Sequence, residues 1–436
     1  MSITKKILMC SSQGNTDNWF LEYGGNTSGT SNIKGRVAIG PSGTVYLLSE
    51  GSGSTYSAQF SIAKLDTDGN LDWQKELGWA GVDVANGISV DTNDNVYVCG
   101  NRTGFNPGGD GIYVSKLNSS GAKQYESFFG TAGGLNKGYS IAAASPFSYV
   151  AGTLGNQQGG YSQWGVFQLD VNGSVVWAKR LGNTFEESQA FGIFYPSQGS
   201  NVYVTGYTTP ATFTVAKYST SGILQWKKTL SGFGPSQGND IHVDDSGDVY
   251  VAGTIRDGSH NAAALVKLSS TGNLVWQRVL TSGAANDEAN AVTVGSDGFV
   301  YLCGTTPNAS SKPNMLLAKY NSSGAIQWQR TFGGVGSEEQ FGYGLGKDID
   351  GNIYFSGHNA GGSGSKALLI KPPTNGSGTG IYEDFVYAKS NLTEKAGSMS
   401  ILSPSQSSAS VSISASTQTS SISSATLTTD LVHMQS

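Results

Sequence analysis

Histidine is the side chain that changes charge nearest neutral pH, and His242, His260, His358 and His433 stand at unrelated positions of the 436-residue chain. General acid/base work needs a second titrating group or an oriented partner. When the innermost apolar runs are aligned, His242 shares its column with Ala38, Ser89, Ala142, Thr293 and Gly346, none of which titrates in the useful range. Cys10, Cys99 and Cys303 are too scattered for a metal knuckle or a disulfide framework and read as packing residues. The Asp-rich turns DTNDN at Asp91, DDSGD at Asp244 and DIDGN at Asp348 have a calcium-like composition. They lack the distal bidentate glutamate of a calcium loop, and Asp, Asn and Gly are the residues hairpin turns select. The expectation is a chain with no catalytic residue, no metal and no cofactor, and therefore not an enzyme.

What remains is binding chemistry, carried by aromatics. Six of the eight tryptophans obey a regular spacing; Trp79 and Trp164 do not. Together with Phe105 and Tyr161 they mark a candidate ligand face on the longer loops, where a saccharide or protein would meet amphipathic rings. Trp164 aligns with Phe60, Ile112 and Phe213, so core packing is its competing reading.

The elements that would position these residues repeat about every fifty positions. Lysine, then Gly five residues on and Trp nine on, occurs as Lys64/Gly69/Trp73, Lys217/Gly222/Trp226, Lys267/Gly272/Trp276 and Lys319/Gly324/Trp328. Lys116/Gly121/Tyr125 and Gln168/Gly173/Trp177 vary it, and a seventh copy is divided between Lys371 and Trp19. A second column, Tyr46, Tyr97, Tyr149, Tyr203, Tyr250, Tyr301 and Tyr354, keeps step. Each unit contains four short alternating runs bounded by Gly, Asn and Asp, which is hairpin patterning. The predicted fold is all-β: a seven-bladed propeller of four-stranded antiparallel blades over 17–371. Residues 17–23 are expected to close the ring as the outer strand of the last blade, with IYEDFVYA (381–388) as the other candidate.

Composition agrees. Gly reaches 61 of 436 residues, charged residues only 13%, and hydrophobic residues 37%, so a core is affordable and turns are many. A net charge of -5 without a basic cluster argues against nucleic acid and anionic membranes, and no apolar run reaches the roughly 20 residues of a spanning helix. In the N-terminal segment 1–16 the apolar patch Ile7, Leu8, Met9 is too short for a secretion signal, which predicts synthesis in a cytoplasm without export by the usual signal route. After a 372–390 linker with room for one more strand, residues 391–436 hold 15 Ser and 6 Thr. Such a tract has too little apolar bulk for a core of its own. It is expected to be an assembly arm that pairs with neighbouring subunits by strand addition or extended wrapping.

Units reading like DSDGNVYVAGT, followed by a lysine strand and a tryptophan strand, resemble the bacterial β-propeller repeat family, and also repeats in virion proteins of tailed phages. That resemblance implies a non-enzymatic virion component (tail, fibre or appendage), made in the host cytoplasm and joined to other virion proteins through its arm. The propeller would be a spacer or would bind a host surface glycan or protein. A cellular carbohydrate- or protein-binding propeller is the alternative, and an enzyme the more distant one. The Gly-to-Trp turn also resembles quinoprotein dehydrogenase repeats and sialidase aspartate boxes. Here no two cysteines adjoin, the Gly69-to-Trp73 spacing is four rather than three, and Arg36, Arg102, Arg180, Arg256, Arg278 and Arg330 are scattered. The column Trp19, Trp73, Tyr125, Trp177, Trp226, Trp276 and Trp328 is therefore read as structural.

Overall fold

A computed structural model describes residues 3–7, 18–23, 35–52, 58–77, 83–105, 109–131, 134–155, 161–181, 186–361 and 365–377, apart from 198, 233, 284, 296, 335 and 337. Beyond these it describes 379–382, 385–390, 392–396, 400–402, 408–410, 414–416, 423–424 and 429–431. Seven antiparallel sheets surround an axis. Blade 1 comprises Arg36–Ile39, Val45–Ser52, Ala58–Leu65 and Leu71–Leu77. Blades 2 to 6 follow the same order, their innermost strands being Asp83–Val90, Lys137–Ala144, Ser188–Phe194, Gln237–Val243 and Glu288–Val294. Blade 7 has Glu339–Lys347, Ile353–Ala360 and Lys366–Lys371, and takes its fourth strand, Trp19–Tyr23, from the other end of the chain. The predicted N-terminal closure is thus what the structure has.

The two sequence columns meet as one row across each blade. Tyr250 pairs with Lys267 and Lys267 with Trp276, and Tyr301, Lys319 and Trp328 repeat the arrangement. The lysine ammonium lies over the tyrosine ring, 5.0 Å from its centre at Lys267 and 5.1 Å at Lys319, a cation–π contact that keeps the charge at the blade edge. The Asp turns close the row from beneath: Tyr97, Tyr250 and Tyr354 donate to Asp91, Asp244 and Asp348. Asp91 Oδ1 also accepts from the backbone N–H groups of Asn93 and Asn95. These carboxylates are engaged in turn chemistry.

The glycine and tryptophan of the repeat join neighbouring blades. Each Gly sits at the strand three-to-four turn in the left-handed region, with φ of 80° at Gly324 and 68° at Gly376, where a side chain is strained. A Cβ at Gly324 would lie 2.8 Å from the ring of Trp276 in the preceding blade, and one at Gly376 2.8 Å from Trp328. The indole then donates to the same turn, as from Trp276 to Ser322 O at 3.1 Å and from Trp73 to Ser119 O at 3.0 Å. Arg278 and Arg330 add a second latch to Gly324 O and Gly376 O. The start of the expected linker is accordingly blade 7's three-to-four turn, docked on blade 6. The ring closes in the same way, with Trp19 against Gly69 and donating to Thr67 O.

The C-terminal segment departs most from expectation. Phe385–Lys389 pairs with the outer strand of blade 6 and folds back on Gly380–Tyr382, so IYEDFVYA is an added hairpin and not the closing strand. Thr393–Ala396, Ser400–Leu402, Ser408–Ser410, Ser414–Ser416 and Ser423–Ser424 then pair antiparallel with blades 5, 4, 3, 2 and 1 in turn. Thr429–Leu431 lies parallel to Ile3–Ile7, which is itself paired outside Trp19–Tyr23 on blade 7. One circuit of the ring is completed, backwards. Successive strand starts at 385, 393, 400, 408, 414, 423 and 429 lie six to nine residues apart, or about 20–30 Å of extended chain, enough to step between outer blade edges. Strand addition or extended wrapping was expected with neighbouring subunits; the described strands add to the chain's own blades.

Candidate functional site

The innermost strands leave a cavity of about 510 Å³ along the axis. In blades 2 to 7 each of these strands carries a one-residue register shift before the central pair, and the register then matches Arg36, Gly87, Ser140, Gly192, Asp240, Ala291 and Gly344 as one ring. Two residues further on lies a second ring, Ala38, Ser89, Ala142, Phe194, His242, Thr293 and Gly346, each opposite a residue of the tyrosine column. Small residues dominate both rings because seven strands converge there. Against that background Arg36, Asp240, Phe194 and His242 are exceptions, and Lys347 lines the same cavity.

Asp240 is held by its neighbour: its Oδ2 accepts from the Val292 backbone N–H at 2.9 Å, one blade on. Ser89 repeats the device, accepting from Ala143 N–H at 3.0 Å, so side chains of the rings satisfy the free inner edge of the next blade. Burial pushes the Asp240 carboxyl up to about 6, against the smaller opposing pull of the Val292 and Ile241 N–H groups and the Arg36 charge. Burial, with Lys347 nearby, pushes His242 down to about 3, which keeps it neutral. Its ring lies 4.3 Å from that of Phe194. The Arg36 charge also acts on Cys99 and Cys303, in blades 2 and 6; a blade 1 side chain felt by blades 2, 5 and 6 reaches over the axis. Its Nε is buried without a hydrogen-bond partner.

The sequence alignment of inner strands placed His242 in its column and missed Arg36 and Asp240, which belong to the ring two residues earlier. The signal was the recurrent small residue there, at Gly87, Gly192, Ala291 and Gly344, broken only by the two charges and Ser140. Of the expected ligand-face aromatics, Trp164 is fully buried and packs with Leu181, Val204 and Tyr218. It is a core residue because it occupies the inward position of strand three, as Phe60 and Phe213 do. Tyr161 is 42% exposed on the long-loop side. Phe105 ends a strand paired with Gly109, and Trp79 lies outside the described residues. A separate concavity of about 440 Å³ opens on this side between blades 4, 5 and 6, with Glu187, Tyr207, Asn239 and Glu288 in its wall. The other histidines have local explanations: His358 stacks 4.8 Å from Phe341 and 5.4 Å from Tyr343, His260 opens a strand of blade 5, and His433 lies outside the described residues. Among the described residues no cluster of three or more His, Cys, Asp or Glu is arranged to hold a metal ion.

Fold and repeat together define a seven-bladed β-propeller. The family model described as Beta-propeller repeat matches residues 72–104, from the outer strand of blade 1 through the second strand of blade 2. No curated protein matches the chain. Among solved structures the chain is similar to the β-propeller domain of the Trilobed protease from Pyrococcus furiosus, with 10% identity over 82% of this chain and 98% of that one and a TM-score of 0.48. It is also similar to the periplasmic gluconolactonase PpgL of Pseudomonas aeruginosa, with 12% identity, coverage of 71% and 93%, and a TM-score of 0.42. A gluconolactonase from Xanthomonas campestris gives 15% identity, coverage of 66% and 86%, and a TM-score of 0.38.

Proposed function

We propose that this chain is a non-enzymatic structural propeller, a rigid spacer or display module of a larger particle, with a tail, fibre or appendage of a tailed phage as the assembly. The observation that carries the reading is the rim: each of the seven blades receives a further strand from a terminal segment of the same chain. Exposed outer edges invite strand pairing between molecules, and a component stacked at high local concentration gains from having them occupied. The blade-to-blade latches through Trp, Gly and Arg add stiffness suited to a spacer. The axial groups favour the same reading, since Asp240 Oδ2 accepts a backbone N–H and His242 is held neutral with no titrating partner within hydrogen-bond reach among the described residues. Binding of a glycan or protein on the long-loop side, near Tyr161, is compatible with a display role. Partners and location follow from this reading and are proposed with it.

Antibody labelling of purified particles should place the protein on them, and the purified chain should not turn over lactone, glycoside or peptide substrates. Hydrolysis by the wild type that disappears in Asp240→Asn would contradict the structural reading.

A further inference from the structure

The channel holds more hydrogen-bond donors than it uses. Arg36, Ser140, His242 and Thr293 all line it, and none makes a side-chain hydrogen bond to the described protein, while the buried Nε of Arg36 is unsatisfied. An unpaired guanidinium in a confined space is costly unless something accepts from it, and its planar fork matches a carboxylate in two parallel bonds. Asp240 lines the same cavity and feels the Arg36 charge, but forms no ion pair with Arg36 among the described residues, so a ligand in the cavity has both groups to meet. Arg36 offers donors and Asp240 an acceptor. A molecule that fits both carries an anionic oxygen pair at one end and hydrogen-bond donors at the other, and neutral O–H groups suit a cavity already lined by the cations Arg36 and Lys347 better than an ammonium does.

From this juxtaposition we infer that the axial channel is a binding site for a small hydroxylated carboxylate of the sugar-acid class, its carboxylate on the Arg36 guanidinium and a hydroxyl donating to Asp240. The cavity is roomy enough for such a molecule with water around it. Entry is from the tight-turn face: a second concavity, between blades 1, 2 and 7, shares Ile39, Val90, Asp91, Thr92 and Lys347 with the channel. Lys347 stands at that mouth beside the Asp91 and Asp348 carboxylates, which their own turns and Tyr97 and Tyr354 engage. The site is independent of any ligand met by the long-loop face.

Calorimetric titration of the full chain with D-gluconate, D-glucose and acetate at one ionic strength tests the assignment. Gluconate should bind, with glucose (no carboxylate) and acetate (no hydroxyls beyond the anion) at least tenfold weaker. Arg36→Gln should lose at least tenfold in gluconate affinity, Arg36→Lys should be intermediate because the charge stays and the fork goes, and circular dichroism with a melting curve should show both variants folded. Asp240→Asn should narrow the gap between gluconate and acetate, since the hydroxyl contact is what separates them. The inference is overturned if gluconate does not bind the wild type, if glucose binds as well as gluconate, or if folded Arg36→Gln binds undiminished.

Discussion

Deletion of residues 1–23 is expected to abolish soluble, cooperatively folded protein, whereas deletion of 391–436 should leave a soluble propeller. Trp19, Phe20, Leu21 and Tyr23 are all at most 1% exposed. Trp19 and Leu21 enter the core between blades 7 and 1, and Phe20 enters the core between blades 6 and 7, where it meets Phe332 and Phe385 edge-on at 5.5 and 5.3 Å. Burying four such side chains contributes on the order of 6–12 kcal/mol as an upper estimate, comparable to the roughly 5–15 kcal/mol by which a domain is stable at all. The loss would also uncover Ala367 and Leu369 along a bare edge and remove the Trp19 latch to Thr67. Expression followed by differential scanning calorimetry distinguishes the outcomes: a Δ1–23 chain that melts like the intact one would show that the ring does not depend on this strand.

The second large effect concerns pH. With ordinary values of 3.8 and 6.5 in the unfolded chain, against about 6 for folded Asp240 and about 3 for folded His242, the two groups act oppositely between pH 4 and 6. There the unfolded chain has Asp240 ionised and His242 protonated, while the folded chain has Asp240 protonated and His242 neutral. One proton gained offsets one lost, so their joint contribution to the pH dependence of stability is nearly flat. Asp240→Asn leaves His242 alone. The unfolded state then binds the extra proton, and stability falls with acidity from pH 6.5 toward 3. His242→Gln leaves Asp240, for which the folded state binds the extra proton. That contribution is fully present below pH 3.8 and is lost as pH rises to about 6. Relative to wild type the two variants should diverge with opposite slopes of up to about 1.4 kcal/mol per pH unit, softened because both residues are only half-buried. Urea unfolding at pH 4, 5 and 6 measures this. Two profiles parallel to the wild type's would mean that the channel does not perturb either group.

The propeller was readable from sequence because its structural contacts repeat: lysine, glycine and tryptophan must keep their spacing so that each turn meets the indole of the blade before. Trp19 and Lys371 carried the same spacing across the termini, so even the closure was visible. The wrapping tail was not, for a physical reason. Its strands of two to four residues pair through main-chain groups, which every residue type possesses, so a Ser-rich tract can follow seven blade edges with no side-chain signature beyond a step of six to nine residues. Arg36 and Asp240 were hidden differently, in a column two residues from the one aligned and in unbroken register with it. Trp164 showed the limit of reading exposure from irregular spacing, since an indole outside the repeat column still filled the core position that Phe60 and Phe213 fill elsewhere.

That the chain closes on itself and then wraps itself is tested most directly by a cross-link. Lys179 of blade 3 and Ser410 of the tail are register partners, and the described cysteines, Cys99 and Cys303, are buried and free. A Lys179→Cys, Ser410→Cys chain with Cys10→Ser, oxidised at low concentration and run without reductant, should yield one monomeric species of shifted mobility that reverts on reduction, while a control with Lys179→Cys alone stays unshifted. Disulfide-linked dimers and larger species would place the tail on neighbouring molecules, and absence of any cross-link would remove it from the rim; either result contradicts the self-wrapped ring.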